Sequence, residues 1–319
     1  MTLGKVLITG GAGFIGSNLA NKLIEMGYEV FVVDDLSMGK KENLVSSNRI
    51  HFYEHTITDE EFIKSLLIRH EFDYMYLLAA IASVADTVDH PYTTHYINQD
   101  ANLFILETIR ENNLHPKRIL FSSSAAVYGD DKALPKKESS VIMPLSPYAI
   151  DKYSTERFVI NYRNLYGLNT VATRFFNVYG PHQNPQSPYS GVLSIITDRL
   201  QTGNDFILYG DGEQTRDFIY VDDVVRALLI LAKEKSAIGH VYNVATGVST
   251  RLKDVVSILE KISGKRINIT CSEARKGDIK FSSADVGRIK RIGYTSRVSI
   301  EDGLKEYWNS LQEANSCGA

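Results

Sequence analysis

Short apolar runs alternate along the first part of the chain with longer segments whose apolar residues recur at helical spacing. The runs have strand length and little polar alternation, which is typical of parallel strands buried on both faces. This rhythm predicts an α/β fold built on a doubly wound parallel sheet with right-handed crossovers. The predicted strands are residues 5–9, 28–33, 74–78, 118–122 and 170–175, and the predicted helices are residues 14–26, 59–69, 94–112 and 147–166.

The rhythm changes after about residue 180. Residues 181–190 are rich in Pro, Gln, Asn and Ser, which indicates a loop. We therefore expect a first domain over residues 1–180, with a returning segment near 215–250, and a smaller mixed α/β C-terminal lobe over 181–319. The second half is predicted to contain helices at 191–201, 221–233, 252–262 and 300–311, a strand at 206–209, and a strand at 241–244 that returns to the main sheet.

Composition places the chain among ordinary globular proteins. It has 319 residues, of which 44% are hydrophobic and 23% charged. A formal net charge of −3 gives no reason to expect a nucleic-acid partner. Cys271 and Cys317 lie far apart without metal-ligand spacing, which favours a reducing compartment and predicts no metal site. Glycines interrupt the apolar residues 6–23, so we expect no membrane span and a cytoplasmic location.

A glycine-rich loop joins the first predicted strand to the first helix. Gly10, Gly13 and Gly16 have the spacing that gives a tight turn, a close backbone approach to a pyrophosphate, and close packing of helix on sheet. The helix N-terminus offers free N–H groups to phosphates. Asp34 ends the second strand, where a carboxylate accepts hydrogen bonds from ribose and repels a 2′-phosphate. The glycine loop and Asp34 together predict NAD rather than NADP. The alternatives are that the loop is an ordinary strand–helix turn and that Asp34 is a solvated loop residue.

Tyr148 and Lys152 are four residues apart and share one face of a predicted helix. A phenol titrates near pH ~10, and a nearby ammonium can lower its pKa toward the working range of a general base. Such a pair occurs by chance on many helices. The candidate gains weight from Ser124, which follows a predicted strand at the sheet edge that faces the cofactor. A serine there can relay a proton between a substrate hydroxyl and Tyr148.

Five motifs occur in a fixed order: Gly-x-x-Gly-x-x-Gly, Ser-Ser-Ser-x-x-Val-Tyr-Gly, Tyr-x-x-x-Lys, and the segments at residues 174–181 and 216–224. Together they resemble the extended short-chain dehydrogenase/reductase family, specifically nucleotide-sugar epimerases of the UDP-galactose 4-epimerase type. The resemblance covers roughly residues 3–310. It implies a Rossmann-like NAD-binding domain over residues 1–180, a substrate-binding lobe over 181–319, NAD as cofactor and a UDP-sugar as substrate.

The residues before Val-Tyr-Gly narrow the reaction. The related dehydratases carry an Asp–Glu pair there and the related decarboxylases a Glu, whereas this chain has Ala125 and Ala126. The resemblance then implies redox at one carbon. Tyr148 as phenolate takes the proton of the sugar 4-OH through Ser124, and the C4 hydride passes to NAD⁺. Lys152 holds the nicotinamide ribose and, together with the positive nicotinamide, lowers the pKa of Tyr148, and the hydride returns to the opposite face of the keto sugar.

The resemblance also implies two sets of binding residues. Arg216 and Arg275 are the candidates for the diphosphate, because guanidinium groups match phosphate oxygens. The cofactor set is Gly10, Gly13, Phe14, Ile15, Gly16, Asp34, Leu36, Ser37, Ile57, Leu78, Ala79, Ala80, Asn98, Ser122, Tyr148, Lys152 and Phe175, and the substrate set is Ser83, Ser124, Tyr148, Asn177, Val192, Tyr209, Arg216, Arg275, Asp278 and Ser282.

Ser282 bears on the choice of sugar. Relatives with Tyr at the matching position close the sugar pocket, whereas a small residue leaves room for a 2-acetamido group. We therefore expect UDP-GlcNAc and UDP-GalNAc as substrates, with UDP-Glc and UDP-Gal also accepted. The alternatives are an NAD(P)H-dependent ketosugar reductase, a UDP-glucuronate 4-epimerase and an inactive dinucleotide sensor.

The resemblance further implies a homodimer. Its interface would be a four-helix bundle to which each subunit contributes the helices at residues 94–112 and 147–166. Leu103, Leu106 and Phe158 are the candidates for the contact, although their apolar character fits core burial equally well.

Overall fold

A computed structural model describes residues 2–184, 191–273 and 280–317, with side chains described as far as residue 313. Its strands are β1 (Lys5–Thr9), β2 (Glu29–Asp34), β3 (Ile50–Glu54), β4 (Tyr74–Leu77), β5 (Arg118–Ser124), β6 (Thr170–Phe175), β7 (Asn177–Tyr179), β8 (Phe206–Tyr209), β9 (Thr215–Arg216), β10 (Phe218–Tyr220), β11 (Val241–Val244), β12 (Thr250–Arg251) and β13 (Ile269–Ser272). Its α-helices are α1 (Phe14–Met26), α2 (Glu60–His70), α3 (Val84–Asp89), α4 (Pro91–His95), α5 (Ala101–Glu111), α6 (Pro147–Tyr166), α7 (Val192–Thr202), α8 (Val221–Lys233), α9 (Leu252–Ser263), α10 (Gly287–Lys290) and α11 (Ile300–Cys317).

Seven parallel strands form the central sheet, in the order β11–β6–β5–β4–β1–β2–β3. The predicted Rossmann-like doubly wound sheet is confirmed, including the return of β11 to its edge beside β6. Because the strands are parallel, their carboxyl ends meet at one edge, where the loops from β1, β2, β4, β5 and β6 gather.

Three apolar cores cover the sheet and the C-terminal elements. One lies between the sheet and helices α1 and α8, and a second lies on the opposite face beneath α2, α5 and α6. The third lies among α7, α9 and α11 and includes Ile196, Val255 and Trp308. Short strand pairs connect this part of the chain, among them β10 beside β7 and β13 beside β8. The division of the chain at residue 180 stays a prediction.

Local sequence signals fix helix α6, which carries the Tyr–Lys pair. The hydroxyl of Ser146 accepts a hydrogen bond from the N–H of Ala149 at 3.2 Å, and Pro147 takes the first helical position. Gly167 ends the helix in a left-handed conformation with φ 75°. Both ends therefore match the prediction of a helix over residues 147–166.

The predicted helix over residues 94–112 is helical from Pro91 to Glu111, but its middle turn is π-helical. A π-helical turn, Tyr96–Asp100, separates α4 from α5. The side chain of Asn98 in this turn pairs with the backbone of Ile81, accepting from its N–H at 2.8 Å and donating to its carbonyl at 3.2 Å. The Asn98 carbonyl accepts from Thr155 on α6 at 3.3 Å. The turn thus ties the loop after β4 to the helix that carries Tyr148.

Candidate active site

The glycine loop packs tightly against the ends of the neighbouring strands. Gly10 has φ 70°, and a Cβ atom there would lie 2.8 Å from the Cα of Ala79. A Cβ atom at Gly16 would lie 2.1 Å from the carbonyl oxygen of Gly10. Gly13 is different, since a Cβ there would meet only the Gly10 carbonyl, at 3.3 Å. Gly13 also caps α1 without a side-chain bond, so the first-turn N–H groups present a positive helix end suited to a pyrophosphate.

Asp34 holds the glycine loop to the end of β2. Its side chain is 7% exposed and accepts from the N–H groups of Ala12 and Leu36, each at 2.9 Å. Burial raises the pKa of Asp34, while these backbone hydrogen bonds oppose the rise. A carboxylate can accept about four hydrogen bonds, so Asp34 keeps acceptor capacity for a ribose hydroxyl. The residues therefore fit NAD, with the loop for its diphosphate and Asp34 for its ribose.

Lys152 is buried at the carboxyl end of β5. Its side chain is 2% exposed, and its Nζ donates to the carbonyl of Ser122 at 2.8 Å and lies 3.4 Å from the Ser122 hydroxyl. Burial lowers the pKa of Lys152 to about 7, and the charge of neighbouring Asp151 opposes the shift. The ammonium is thus held by the strand that carries Ser124.

Tyr148 lies one helical turn before Lys152 and hydrogen-bonds to Ser124. Burial raises the pKa of Tyr148, and the Ser124 hydrogen bond acts in the opposite direction. The Lys152 Nζ lies 5.9 Å from the centre of the Tyr148 ring. The expectation that Lys152, together with the positive nicotinamide, lowers the pKa of Tyr148 stays a prediction.

The predicted cofactor residues gather at the carboxyl edge of the sheet. The first five occupy the β1–α1 loop and the start of α1, and the others follow the ends of successive strands. Asn98 joins them through its pairing with Ile81. By position, Asp34, Leu36 and Ser37 end or follow β2, Ile57 follows β3, Leu78, Ala79 and Ala80 follow β4, Ser122 lies in β5, and Phe175 ends β6.

The predicted substrate residues that the structure describes fall into two places. Ser83 caps α3 beside the loop after β4, and its hydroxyl accepts from Asp86 N–H at 2.9 Å. Ser124 at the end of β5 and Tyr148 in α6 lie at the same sheet edge. The remaining described residues lie further along the chain: Asn177 begins β7, Val192 begins α7, Tyr209 ends β8, Arg216 ends β9, and Ser282 lies between Phe281 and Ala284, which form isolated β-bridges. Arg275 and Asp278 lie outside the described residues.

Asp217 anchors the segment that follows Arg216. Its buried carboxylate accepts from the backbone of Thr246, Gly247 and Ala284 at 2.9 to 3.3 Å. Its carbonyl accepts from the Asn177 side chain at 3.2 Å. The N–H of Ser282 donates to Thr215, the residue before Arg216, at 3.1 Å. Asn177 is therefore tied to the backbone of Asp217, and Ser282 is tied to Thr215, two residues before Asp217.

Sequence reasoning missed several residues that support the site. Thr87 accepts from the N–H of Tyr148 at 3.2 Å. Glu156, four residues beyond Lys152 on the same helix face, is fully buried and pairs with Arg174. The repeat of Tyr148, Lys152 and Glu156 at intervals of four is a signal that the sequence alone contained.

The described part of the chain has neither a helix able to span a membrane nor a metal-binding cluster. No helix in residues 2–184, 191–273 or 280–317 has the length and hydropathy needed to cross a membrane. The same part of the chain contains no group of three or more His, Cys, Asp or Glu placed to hold a metal ion.

The Rossmann-like sheet, its glycine loop and the Ser–Tyr–Lys group define an extended short-chain dehydrogenase/reductase. Residues 6–245 match the model of the NAD dependent epimerase/dehydratase family. The chain belongs to this family. It is an NAD-dependent epimerase.

Individual relatives match over almost their whole length. The UDP-glucose 4-epimerase of Mycolicibacterium smegmatis is 34% identical over 304 residues, which are 94% of this chain and 96% of the relative. The structure of UDP-glucose 4-epimerase with UDP-glucose from Thermotoga maritima superposes with a TM-score of 0.92 at 39% identity, covering 98% of this chain and 99% of the other. A UDP-N-acetylglucosamine 4-epimerase from Methanobrevibacter ruminantium, in complex with UDP-N-acetylmuramic acid, gives 0.92 at 35% identity, covering 98% and 100%.

Replacing Gly16 with Ala tests the close packing of the glycine loop. The new methyl group meets the Gly10 carbonyl, so we expect the loop to shift, NAD affinity to fall at least about tenfold, and unfolding free energy to drop by about 1–3 kcal/mol. Calorimetric NAD titration and urea unfolding measure the two effects. Gly203→Ala is the control. No atom lies within 4 Å of the added Cβ, and because Gly203 has a φ of 78°, the substitution should lower stability but leave NAD affinity unchanged. Unchanged NAD affinity in Gly16→Ala would contradict the assignment of the glycine loop to the diphosphate of NAD.

Proposed function

We propose that this epimerase inverts C4 of UDP-hexoses through a transient 4-keto sugar, with UDP-GlcNAc and UDP-GalNAc as its preferred pair. UDP-Glc and UDP-Gal are further substrates. The observation that carries the proposal is the meeting of Ser124, Tyr148 and Lys152 beside the NAD loop, with only the methyl groups of Ala125 and Ala126 following Ser124. Related dehydratases and decarboxylases have carboxylates at these positions, so this site suits redox at one carbon.

Tyr148 takes the proton of the sugar 4-OH and later returns it. Ser124 hydrogen-bonds to the phenol and lies on the proton path. When bound, NAD supplies a hydride acceptor and donor for C4 and, in its oxidised form, a positive charge in the site. That charge favours the Tyr148 phenolate, whose pKa burial otherwise raises. Lys152 provides N–H donors at the same edge of the sheet for the nicotinamide ribose.

Substrate recognition follows from the C-terminal elements. Asn177 and Arg216 meet the diphosphate, because an amide and a guanidinium both donate to phosphate oxygens. We assign the same role to Arg275, and a place near the nucleotide base to Val192, Tyr209 and Asp278. Ser83 meets the sugar from the opposite side. The bound UDP-glucose of the Thermotoga maritima enzyme supports a UDP-sugar in this fold.

Ser282 provides the room for an N-acetyl group. The backbone of Ser282 is fixed on both sides, donating to Thr215 at 3.1 Å and accepting from the Ser249 hydroxyl at 3.2 Å. Its small side chain is half-buried in this fixed segment. A residue held in this way determines pocket size through its own volume. The similarity to a UDP-N-acetylglucosamine 4-epimerase supports the same choice.

We also propose a cytoplasmic homodimer formed through α5 and α6. Leu106 was expected in the interface, but it is fully buried in the core of its own chain and is therefore removed from the candidates. Leu103 and Phe158 are only partly buried and stay candidates. Arg110 packs on the ring of Tyr166 at the same pair of helices, with 5.2 Å between guanidinium carbon and ring centre.

Purified protein mixed separately with UDP-GlcNAc, UDP-Glc and UDP-GlcA, without added cofactor, tests the reaction. We expect NMR to show the 4-epimer of UDP-GlcNAc first and that of UDP-Glc more slowly. Absence of a 4-epimer from all three sugars would refute the proposal. Consumption of added NADH with a keto sugar would favour the reductase instead.

Tyr148→Phe removes the proposed base. We expect turnover to fall by about 10³-fold or more while NAD binding is retained, since the ring stays in place. The matched control is Tyr153→Phe on the same helix, which should keep wild-type turnover. Retained activity in Tyr148→Phe would exclude this base.

Ser282→Tyr tests the sugar preference. The larger ring should fill the space for the acetamido group, so kcat/KM for UDP-GlcNAc should fall at least about tenfold more than that for UDP-Glc. Ser282→Ala keeps a small side chain and should leave the ratio of the two substrates unchanged. Equal losses for both sugars in Ser282→Tyr would remove Ser282 from the specificity account.

A further inference from the structure

A buried carboxylate lies behind the catalytic group. Glu156 occupies the same face of α6 as Tyr148 and Lys152, one turn further along, and its side chain is fully buried. One carboxylate oxygen accepts from the Ser123 hydroxyl and from Nε of Arg174, each at 2.8 Å. The other accepts from Nη2 of Arg174 at 2.6 Å. Glu156 therefore joins α6 to both β5 and β6.

The hydrogen bonds continue across the sheet in one row. Ser123, Arg174 and Asn243 are register partners on the adjacent strands β5, β6 and β11. Arg174 donates to the hydroxyl of Tyr128 at 2.9 Å, and this hydroxyl donates to the side chain of Asn243 at 2.6 Å. Asn243 then donates to the carbonyl of Asp285 at 3.2 Å, three residues beyond Ser282.

Each of three successive β5 residues contacts a different residue on the same face of α6. Ser122 contacts Lys152, Ser123 contacts Glu156, and Ser124 contacts Tyr148. These contacts set the spacing between strand and helix, on which the Ser124–Tyr148 hydrogen bond depends. A buried ion pair adds little to stability compared with apolar packing, because desolvating two charges offsets their attraction. The Glu156–Arg174 pair contributes geometry here, because the two Glu156 carboxylate oxygens fix β5 and β6 relative to α6.

We propose that Glu156 is a positioning residue that, through Ser123 and Arg174, holds Ser124 at the distance from Tyr148 that proton transfer requires. Through Tyr128 and Asn243 the same row connects this geometry to the segment that follows Ser282. The inference rests on the proposed function, because it concerns the base of that reaction.

Ser123→Ala is the main test, because it removes one hydrogen bond to Glu156 and leaves the ion pair intact. We expect kcat to fall about tenfold with KM changed by less than about twofold, since the defect lies in alignment rather than in substrate binding. The acidic limb of the kcat–pH profile should move to higher pH, because the Ser124 hydrogen bond that lowers the pKa of Tyr148 is loosened. Glu156→Gln combined with Arg174→Met removes both charges together and should lower kcat by about 10²-fold.

Thr173→Val is the matched control. Thr173 is fully buried and its hydroxyl donates to the carbonyl of Phe121 at 3.2 Å, so it also links β6 to β5 but lies outside the row. It should keep the wild-type kcat and pH profile, with thermal unfolding measured for every variant. A wild-type kcat and profile in Ser123→Ala, or equal losses in Thr173→Val, would overturn the positioning role.

A crystal structure of Ser123→Ala separates this inference from the proposed function. The distance between the Ser124 and Tyr148 hydroxyl oxygens should increase by about 0.5 Å relative to wild type. If the wild-type protein epimerises no UDP-sugar, the proposed function fails, and this distance alone decides the positioning role. An unchanged distance would overturn it.

Discussion

The site depends on keeping the Lys152 ammonium inside the protein, against the carbonyl that ends β5. Burial lowers its pKa from 10.5 to about 7, so the charged form is disfavoured in the folded state. This cost to stability is fully present below pH 7 and is relieved as pH rises toward 10.5, where the unfolded chain also loses the proton. Because Lys152 lies on α6 and its buried ammonium donates to β5, the fold must hold α6 rigidly on β5 to keep this charge buried. The contacts of Ser122, Ser123 and Ser124 with successive turns of α6 do so.

The parallel sheet converts this local arrangement into an active site. Because the strands are parallel, the glycine loop, Asp34 and the end of β5 that carries Ser124 lie at a single edge of the sheet. The proposed NAD site and the proposed base Tyr148 therefore face the same space. The C-terminal elements approach that edge through β11, which adds to the sheet beside β6, and through the buried carboxylate of Asp217. In the proposed mechanism, the chemistry takes place at the sheet edge, and segments anchored to that edge determine the choice of sugar.

Sequence reasoning succeeded where a local signal decides the structure. The bounds of α1 and α6 follow from Gly27, Pro147 and Gly167, which act through their own backbone geometry. Prediction from the sequence failed where contacts between distant parts of the chain decide the structure. Strand β3 was missed because it is a half-exposed edge strand with polar residues. The π-helical turn was not predicted, because the spacing of apolar residues does not show that the side chain of Asn98 will pair with the distant backbone of Ile81. The Glu156–Arg174 pair was missed because two strands and a helix must first assemble.

In the proposed reaction, hydride leaves C4 and returns to C4 within one protein molecule. The deciding experiment uses a UDP-sugar that carries deuterium at C4, turned over in ordinary water by purified protein without added NAD. The 4-epimer should keep its deuterium at C4, as read by NMR and mass spectrometry. Loss of the label to solvent during epimerisation would instead show proton exchange at C4 and would exclude hydride transfer.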